Sequence, residues 1–192
     1  MEQYAGGNPE AFIRVYDVVA PRIFAFLLRQ TRNRAQAEDL LQQTMLQVHR
    51  ARDQFIPGAA VVPWAFAIAR RFLIDSVRRG PREILHDGTE LDIRAATSPR
   101  ADDLVAASEL AARIERTLAQ LPEQQRTAFQ LIKQEGLTFA EAAEVLGTTV
   151  AAVKLRAHRA YTAVRLELGS EIASELQEPD AEGCLRPQGV RS

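Results

Sequence analysis

One stretch late in the chain, "GLTFAEAAEVLGTTVAAVKLRAHRAYTAVR" at residues 136–165, constrains the fold most strongly. Thr138 and Glu141 have the spacing of a capping box, in which the two side chains satisfy free backbone amides at the start of a helix. Gly147 is suited to end that helix, and Thr149 can cap a second helix directly after it. The pattern predicts two helices joined by a tight turn, which is the arrangement of a helix-turn-helix.

The second of these helices has a positively charged face. Residues at helical spacing are predicted to face inward, namely Val150, Val153, Ala157, Tyr161 and Val164. The outward residues are then Ala151, Ala152, Leu155, Arg156 and Arg159, with Lys154 at the flank. Lys and Arg pair with phosphates, Arg also binds guanine edges, and small alanines let a helix approach a groove closely. The face predicts DNA binding, although such a helix pair also occurs as plain bundle packing with a solvated arginine face.

Charge is distributed unevenly along the 192 residues, although the formal net charge is only −1. Counting Lys and Arg against Asp and Glu gives 12 against 7 for residues 1–82 and 8 against 6 for residues 110–168. The other two segments are acidic, with 2 against 7 in residues 83–109 and 2 against 5 in residues 169–192. They contain turn-forming residues and no sustained apolar period. We therefore predict two different folded modules, an acidic linker at 83–109 and a tail at 169–192.

The first basic block begins with two predicted amphipathic helices. The apolar stripe of the first consists of Phe12, Val15, Tyr16, Val19, Ile23, Phe26 and Leu27. Pro21 is expected to kink or divide this helix. The second helix is predicted to bury Leu40, Leu41, Met45 and Val48. Its other side then carries the polar residues Asp39, Gln42, Gln43 and His49.

A third helix in this block is rich in arginine. Pro63 is suited to its first turn and Gly80 to its end. Its apolar positions are Trp64, Ile68, Phe72 and Val77, beside a cationic set of Arg70, Arg71, Arg78 and Arg79. These arginines are candidates for nucleic-acid binding or ordinary solvated surface. The second block opens with helices around Pro122 whose inward residues are Leu118, Leu121, Phe129 and Ile132.

Several classes of protein are disfavoured by what the sequence contains. The apolar runs are too short for a membrane span, and the N-terminus has no signal pattern, so we expect a cytoplasmic protein. The single Cys184 cannot form an internal disulfide, and no Cys/His cluster has zinc-ligand spacing. The three histidines are too scattered to indicate catalysis. We expect neither an enzyme nor a bound cofactor or metal.

The ordered motifs of both blocks together resemble a known family. "AEDLLQQTMLQVHRARDQF", then "WAFAIARRFLIDSVRR", then "LPEQQRTAFQLIKQEGLTFAEAAEVLGTTVAAVKLRAHRAY" look like a bacterial sigma factor of the extracytoplasmic-function (ECF) group, in the sigma-70 family. The resemblance covers residues from about 9 to 168. It implies an all-α fold with a region 2 bundle at 9–82 and a region 4 helix-turn-helix at 110–168, joined by the flexible linker.

The resemblance also implies roles for particular residues. The helix of "AEDLLQQ" docks on core RNA polymerase in this family, which assigns core binding to Asp39, Gln42, Gln43 and His49. Many members have glutamate in place of Gln43 and tryptophan in place of His49. The arginine-rich helix recognises and melts the minus-10 promoter element, which assigns that role to Arg71, Asp75, Arg78 and Arg79. Arg71 replaces a frequent asparagine, so the resemblance does not imply the base preference at this position.

The second helix of the helix-turn-helix implies reading of the minus-35 element. The corresponding residues are Thr149, Ala151, Ala152, Lys154, Leu155, Arg156 and Arg159. Leu155 replaces a common serine and offers an apolar group for a thymine methyl. The sequence thus predicts a sigma factor that directs promoter recognition and initiation for a signal-dependent regulon, with core polymerase, promoter DNA and an anti-sigma factor as partners.

Two other readings stay open. An autonomous helix-turn-helix regulator would bind DNA without polymerase, but no dimerisation or ligand-binding signal accompanies the motif. A decoy that mimics a sigma factor would capture an anti-sigma factor, but it would not need arginines on both DNA-binding faces. The acidic tail is either an overhang without contacts or a segment that covers a basic face of its own chain.

Overall fold

The computed structural model divides the chain into two compact units, Met1–Arg94 and Ala95–Ser192. It describes residues 10–79 and 101–169 together with Met1, Tyr4 and Gly6, and only the backbone is described for 101–108. Within these residues every regular element is a helix, which confirms the predicted all-α class. Gly80, the predicted end of the third helix, lies outside the described residues, as do residues 81–82, residues 83–100 of the predicted linker and all of the predicted tail beyond Gly169, including Cys184.

The first unit contains three long helices. They are α1 (Glu10–Thr31), α2 (Arg34–Arg50) and α3 (Val61–Arg78), with a short 3-10 turn at Arg52–Gln54. Helix α1 runs through Pro21 without interruption, so the prediction that Pro21 divides it is wrong. Pro21 is exposed, and the carbonyl that loses its helical partner can therefore be solvated.

The turn between α1 and α2 is compact. Arg32 adopts a left-handed conformation with φ of 51°, and its amide donates to the Leu28 carbonyl at 2.9 Å. Asn33 then caps α2, because its side chain accepts a hydrogen bond from the Gln36 amide at 3.0 Å. This local chemistry reverses the chain within two residues, so that α1 and α2 pack as neighbours.

The core of the first unit corrects one predicted helix face. Helix α3 buries Pro63, Ala65, Phe66, Ala69 and Leu73. The predicted inward residues Trp64, Ile68 and Phe72 are only half-buried, and Val77 is 71% exposed. The buried face includes Ala65 and Ala69, whose small side chains allow close helix approach, and Phe66, which packs on Phe26 with ring centroids 5.4 Å apart.

Two further inward predictions in the first unit need adjustment. Tyr16, placed in the α1 stripe, is 43% exposed, whereas the other stripe residues from Val19 to Leu27 are buried. Leu41 is half-buried, while Leu40, Met45 and Val48 lie in the core as predicted. The stripes were therefore predicted correctly along their centres and less well at their edges.

The second unit contains four α-helices among its described residues. They are α4 (Ala101–Gln120), α5 (Glu123–Phe129), α6 (Phe139–Leu146) and α7 (Val150–Leu168), with a π-helical turn at Gln130–Gln134. Helix α4 begins inside the segment predicted as linker. One buried cluster joins three helices through Leu118, Phe129, Tyr161, Val164 and Leu168.

The turn between α6 and α7 has the predicted capping chemistry. Thr138 and Glu141 form the capping box, and the Thr149 hydroxyl accepts the Ala152 amide at 3.2 Å. Gly147 has φ of 61°, which places the amide of Thr148 in a hydrogen bond of 3.0 Å to the Ala143 carbonyl. The predicted helix-turn-helix is thus confirmed in both helices and in the turn that joins them.

Replacing Gly147 with alanine is expected to destabilise the second unit by about 1 kcal/mol, because only glycine adopts the left-handed conformation without cost. An added Cβ would meet no atom within 4 Å, so the cost is confined to the backbone. Hydrogen exchange of the α6 and α7 amides measures it, and fluorescence of Trp64, the one tryptophan, checks that the first unit is unchanged. Gly147→Asn is the matched control and should lose less. Equal exchange in Gly147→Ala and the parent would contradict the expectation.

Candidate nucleic-acid interface

Helix α7 turns a continuous apolar face inward and leaves its charged face outside. Val153, Ala157, Tyr161 and Val164 are buried as predicted, whereas Val150, predicted inward, is 40% exposed because it starts the helix at the edge of the core. The predicted DNA-facing residues Thr149, Ala151, Lys154, Leu155 and Arg159 are exposed, and Ala152 and Arg156 are half-buried. All seven therefore reach the surface along the first three turns of α7.

Lys154 is held against the first helix of the pair. Its ammonium nitrogen lies 5.4 Å from the ring centroid of Phe139, the residue that begins α6. Phe139 is itself buried, so the ring provides a fixed support for the lysine stem. The contact places Lys154 on the side of α7 next to α6, apart from the outward Arg159.

A second cationic surface lies at the C-terminal end of α3. Arg71, Arg78 and Arg79 are exposed and Asp75 is half-buried. Spacings of three and four residues bring the four side chains to one side of the helix. The Arg79 Nε group donates to the Asp75 carbonyl at 3.3 Å, which draws this arginine back along the helix. Three arginines and one aspartate thus share one side of this end of the helix.

A polar surface occupies the outer face of α2. Asp39, Gln42, Gln43 and His49 are all exposed, as their predicted position on the polar side requires. Leu46 lies between them at helical spacing and is 46% exposed. The prediction missed this leucine because it selected polar residues; its position three residues from Gln43 and from His49 is the signal that could have found it. The surface is therefore a polar stripe with an apolar centre.

The predicted site residues thus fall into three groups, two in the first unit and one in the second. Within the first unit, α2 and α3 are linked by a hydrogen bond of 3.3 Å from Gln36 Nε2 to Ser76 Oγ. This bond joins the helix of the predicted core-binding residues to that of the predicted minus-10 residues. The group on α7 belongs to the other unit.

In the part of the chain that the structure describes, no three or more His, Cys, Asp or Glu side chains are grouped to hold a metal ion. None of the helices in residues 10–79 and 101–169 combines the length and the apolar composition needed to cross a membrane.

The two units match models of two conserved regions of one protein family. Residues 15–83 match the model of sigma-70 region 2, and residues 111–164 match that of sigma-70 region 4. The RNA polymerase sigma factor CarQ of Myxococcus xanthus is 36% identical, over 88% of this chain and 95% of CarQ. The ECF RNA polymerase sigma factor SigW of Bacillus subtilis is 27% identical, over 88% of this chain and 94% of SigW.

The chain is also similar to solved structures. The sigma factor RpoE of Bartonella quintana, crystallised with the anti-sigma factor NepR, aligns with a TM-score of 0.64 and 25% identity over 84% of this chain and 99% of RpoE. CnrH, in complex with the cytosolic domain of CnrY, also has a TM-score of 0.64 and 25% identity, over 88% of this chain and 95% of CnrH.

A helical bundle followed by a helix-turn-helix, each with an exposed cationic face, defines a two-part DNA-binding protein of transcription. The chain belongs to the sigma-70 family, in the ECF group of RNA polymerase sigma factors. It is accordingly a sigma factor that directs transcription initiation, and the readings as an autonomous regulator or a decoy are not favoured.

Proposed function

We propose that the three exposed groups divide the work of promoter recognition. The polar face of α2 binds core RNA polymerase, the arginine-rich end of α3 binds the minus-10 element, and the outward face of α7 binds the minus-35 element. One observation carries this proposal: each group is exposed on a single helix, and the two cationic groups belong to different units. Two separate promoter elements require such a division.

Each DNA-binding module is expected to have a low affinity by itself, and the two together a higher one. Each cationic face carries only three or four basic side chains, so each module alone should bind DNA weakly and in a salt-dependent manner. Docking on polymerase raises the effective concentration of both modules at their elements. Promoter selectivity then belongs to the complex and not to the free chain.

At the minus-10 element the task is to hold an unstacked base. Extruding a base from the duplex costs a few kcal/mol, which pocket and backbone contacts offset. Arg71, Arg78 and Arg79 supply phosphate contacts and planar groups that stack on bases, and Asp75 can accept a hydrogen bond from a base edge. Arg71 takes the position of a frequent asparagine and is therefore the residue most suited to shift the base preference.

At the minus-35 element the residues of α7 are suited to different parts of the DNA. Arg156 lies two turns into the helix, where a guanidinium group can fork onto a guanine edge, and Lys154 and Arg159 flank it for phosphates. The Leu155 side chain is 51% exposed and offers an apolar contact for a thymine methyl. The small side chains of Ala151 and Ala152 let the helix approach the DNA groove closely.

The same resemblance suggests how the protein is controlled. RpoE was solved with the anti-sigma factor NepR, and CnrH with the cytosolic domain of CnrY. An anti-sigma factor that covers α2 or a DNA-binding face would make initiation dependent on a signal. The protein works in the cytoplasm, where polymerase and DNA are found, and it has no catalytic activity of its own.

The proposal is tested by measuring promoter binding with and without polymerase. Fluorescence anisotropy of a labelled promoter fragment is recorded at several salt concentrations, with the chain alone, core polymerase alone and both together. Sequence-selective binding is expected only for the mixture. Equally selective binding by the chain alone would instead favour an autonomous helix-turn-helix regulator.

A further inference from the structure

A tyrosine near the start of the chain is packed against the outer face of the first unit. Tyr4 is only 4% exposed. Its ring centroid lies 5.2 Å from that of Phe12 on α1 and 6.0 Å from that of His49 on α2. Phe12 and His49 also meet edge to face, with centroids 6.3 Å apart. Three rings from three segments thus form one aromatic cluster, called here the Tyr4 cluster.

A hydrogen bond defines the orientation of the histidine within the Tyr4 cluster. The Tyr4 hydroxyl is hydrogen-bonded to His49 Nδ1. Burial raises the pKa of Tyr4, with opposing effects of Arg52 and Asp53, so the phenol stays protonated and able to donate. When the hydroxyl donates to Nδ1, the imidazole carries its proton on Nε2. His49 is then a hydrogen-bond donor through Nε2.

The Tyr4 cluster continues the polar surface of α2. His49 is exposed and follows Leu46 at helical spacing, in line with Asp39 and Gln42. A lone imidazole at the end of a helix would sample several rotamers and two tautomers. Packing by Tyr4 and Phe12 removes this freedom before any partner binds, which reduces the entropy lost on binding.

We propose that Tyr4 is a positioning residue for core-polymerase binding: with Phe12 it holds the His49 ring in one orientation and one tautomer on the α2 surface. The partner is the surface of core polymerase that α2 contacts, so this inference rests on the proposed function.

The experiment measures the affinity of the full chain for core polymerase, with any affinity tag at the C-terminal end. Tyr4→Phe retains the ring and removes the hydroxyl, and it is expected to weaken binding about threefold to tenfold, because the freed His49 side chain must then be ordered on binding. Tyr4→Ala removes both and should weaken binding further.

Two readouts separate positioning from a merely structural role. The ¹⁵N chemical shifts of His49, identified by their loss in His49→Gln, report the tautomer and should change in Tyr4→Phe. Hydrogen exchange of α1 and α2 should stay as in the parent. Unchanged core affinity in Tyr4→Phe and Tyr4→Ala, while Asp39→Ala with Gln42→Ala still weakens binding, would overturn this inference alone. If none of these variants weakened binding, the proposed role of α2 itself would fail.

Discussion

Replacing both Asp39 and Gln42 with alanine is expected to weaken binding of core RNA polymerase by about 2 kcal/mol or more, roughly 30-fold in Kd. Both side chains are exposed on α2, so their removal takes nothing from the core of the first unit. The expected loss comes from interfacial hydrogen bonds, one of them to a charged carboxylate. Titration of fluorescently labelled protein with core polymerase measures it, and circular dichroism should show unchanged helix content.

Arg34→Ala provides the matched control for this double variant. Arg34 is exposed in the first turn of the same helix, before the predicted core-binding residues, and pairs with Glu38 at 2.8 Å. An exposed pair of this kind contributes at most about 1 kcal/mol to stability. Core affinity should therefore remain at the parent value in Arg34→Ala. An affinity for core that is equally unchanged in the Asp39 and Gln42 double variant would contradict the assignment of α2.

The second large effect is expected on the affinity for the minus-35 element, here called the upstream element. Arg156→Ala should cost about 1–3 kcal/mol at the preferred sequence and relax the preference at one or two base pairs. Arg159→Ala should weaken binding to all sequences. It should also reduce the slope of the logarithm of the binding constant against the logarithm of the salt concentration by about one unit. The difference follows from position, because Arg156 is nearer the start of α7 and half-buried, whereas Arg159 is exposed one turn later.

Binding of the reconstituted holoenzyme to a library of upstream elements, at several salt concentrations, distinguishes the two arginines. Arg165→Ala is the control, since this arginine is exposed in the last turn of the same helix, beyond the predicted DNA-facing residues. If Arg156→Ala left the ranking of the library unchanged, base reading would belong to Lys154 or Leu155, and Arg156 would be a phosphate contact or plain surface.

Local chemistry explains why the helix-turn-helix could be predicted in detail. Thr138, Glu141, Gly147 and Thr149 act on backbone groups within a few residues, so their roles can be inferred without knowing the tertiary structure. The exposure of the α7 face follows from the same short-range pattern. The fold class and this part of the candidate site were therefore accessible from the sequence.

Tertiary packing decides the features that the prediction missed. Helix α3 has apolar residues on two sides, and only its neighbours determine that Ala65 and Phe66 are buried while Val77 is exposed. The contact of Tyr4 with His49 joins residues 45 positions apart, which no local pattern indicates.

Initiation by reconstituted polymerase tests the central claim most directly. Core RNA polymerase is incubated with a random-sequence DNA library, with and without this chain, and the start positions of the transcripts are mapped. The sigma-factor account predicts starts that depend on the chain and lie at a fixed distance downstream of one shared pair of sequence elements. A distribution of starts identical to that of core polymerase alone would contradict it.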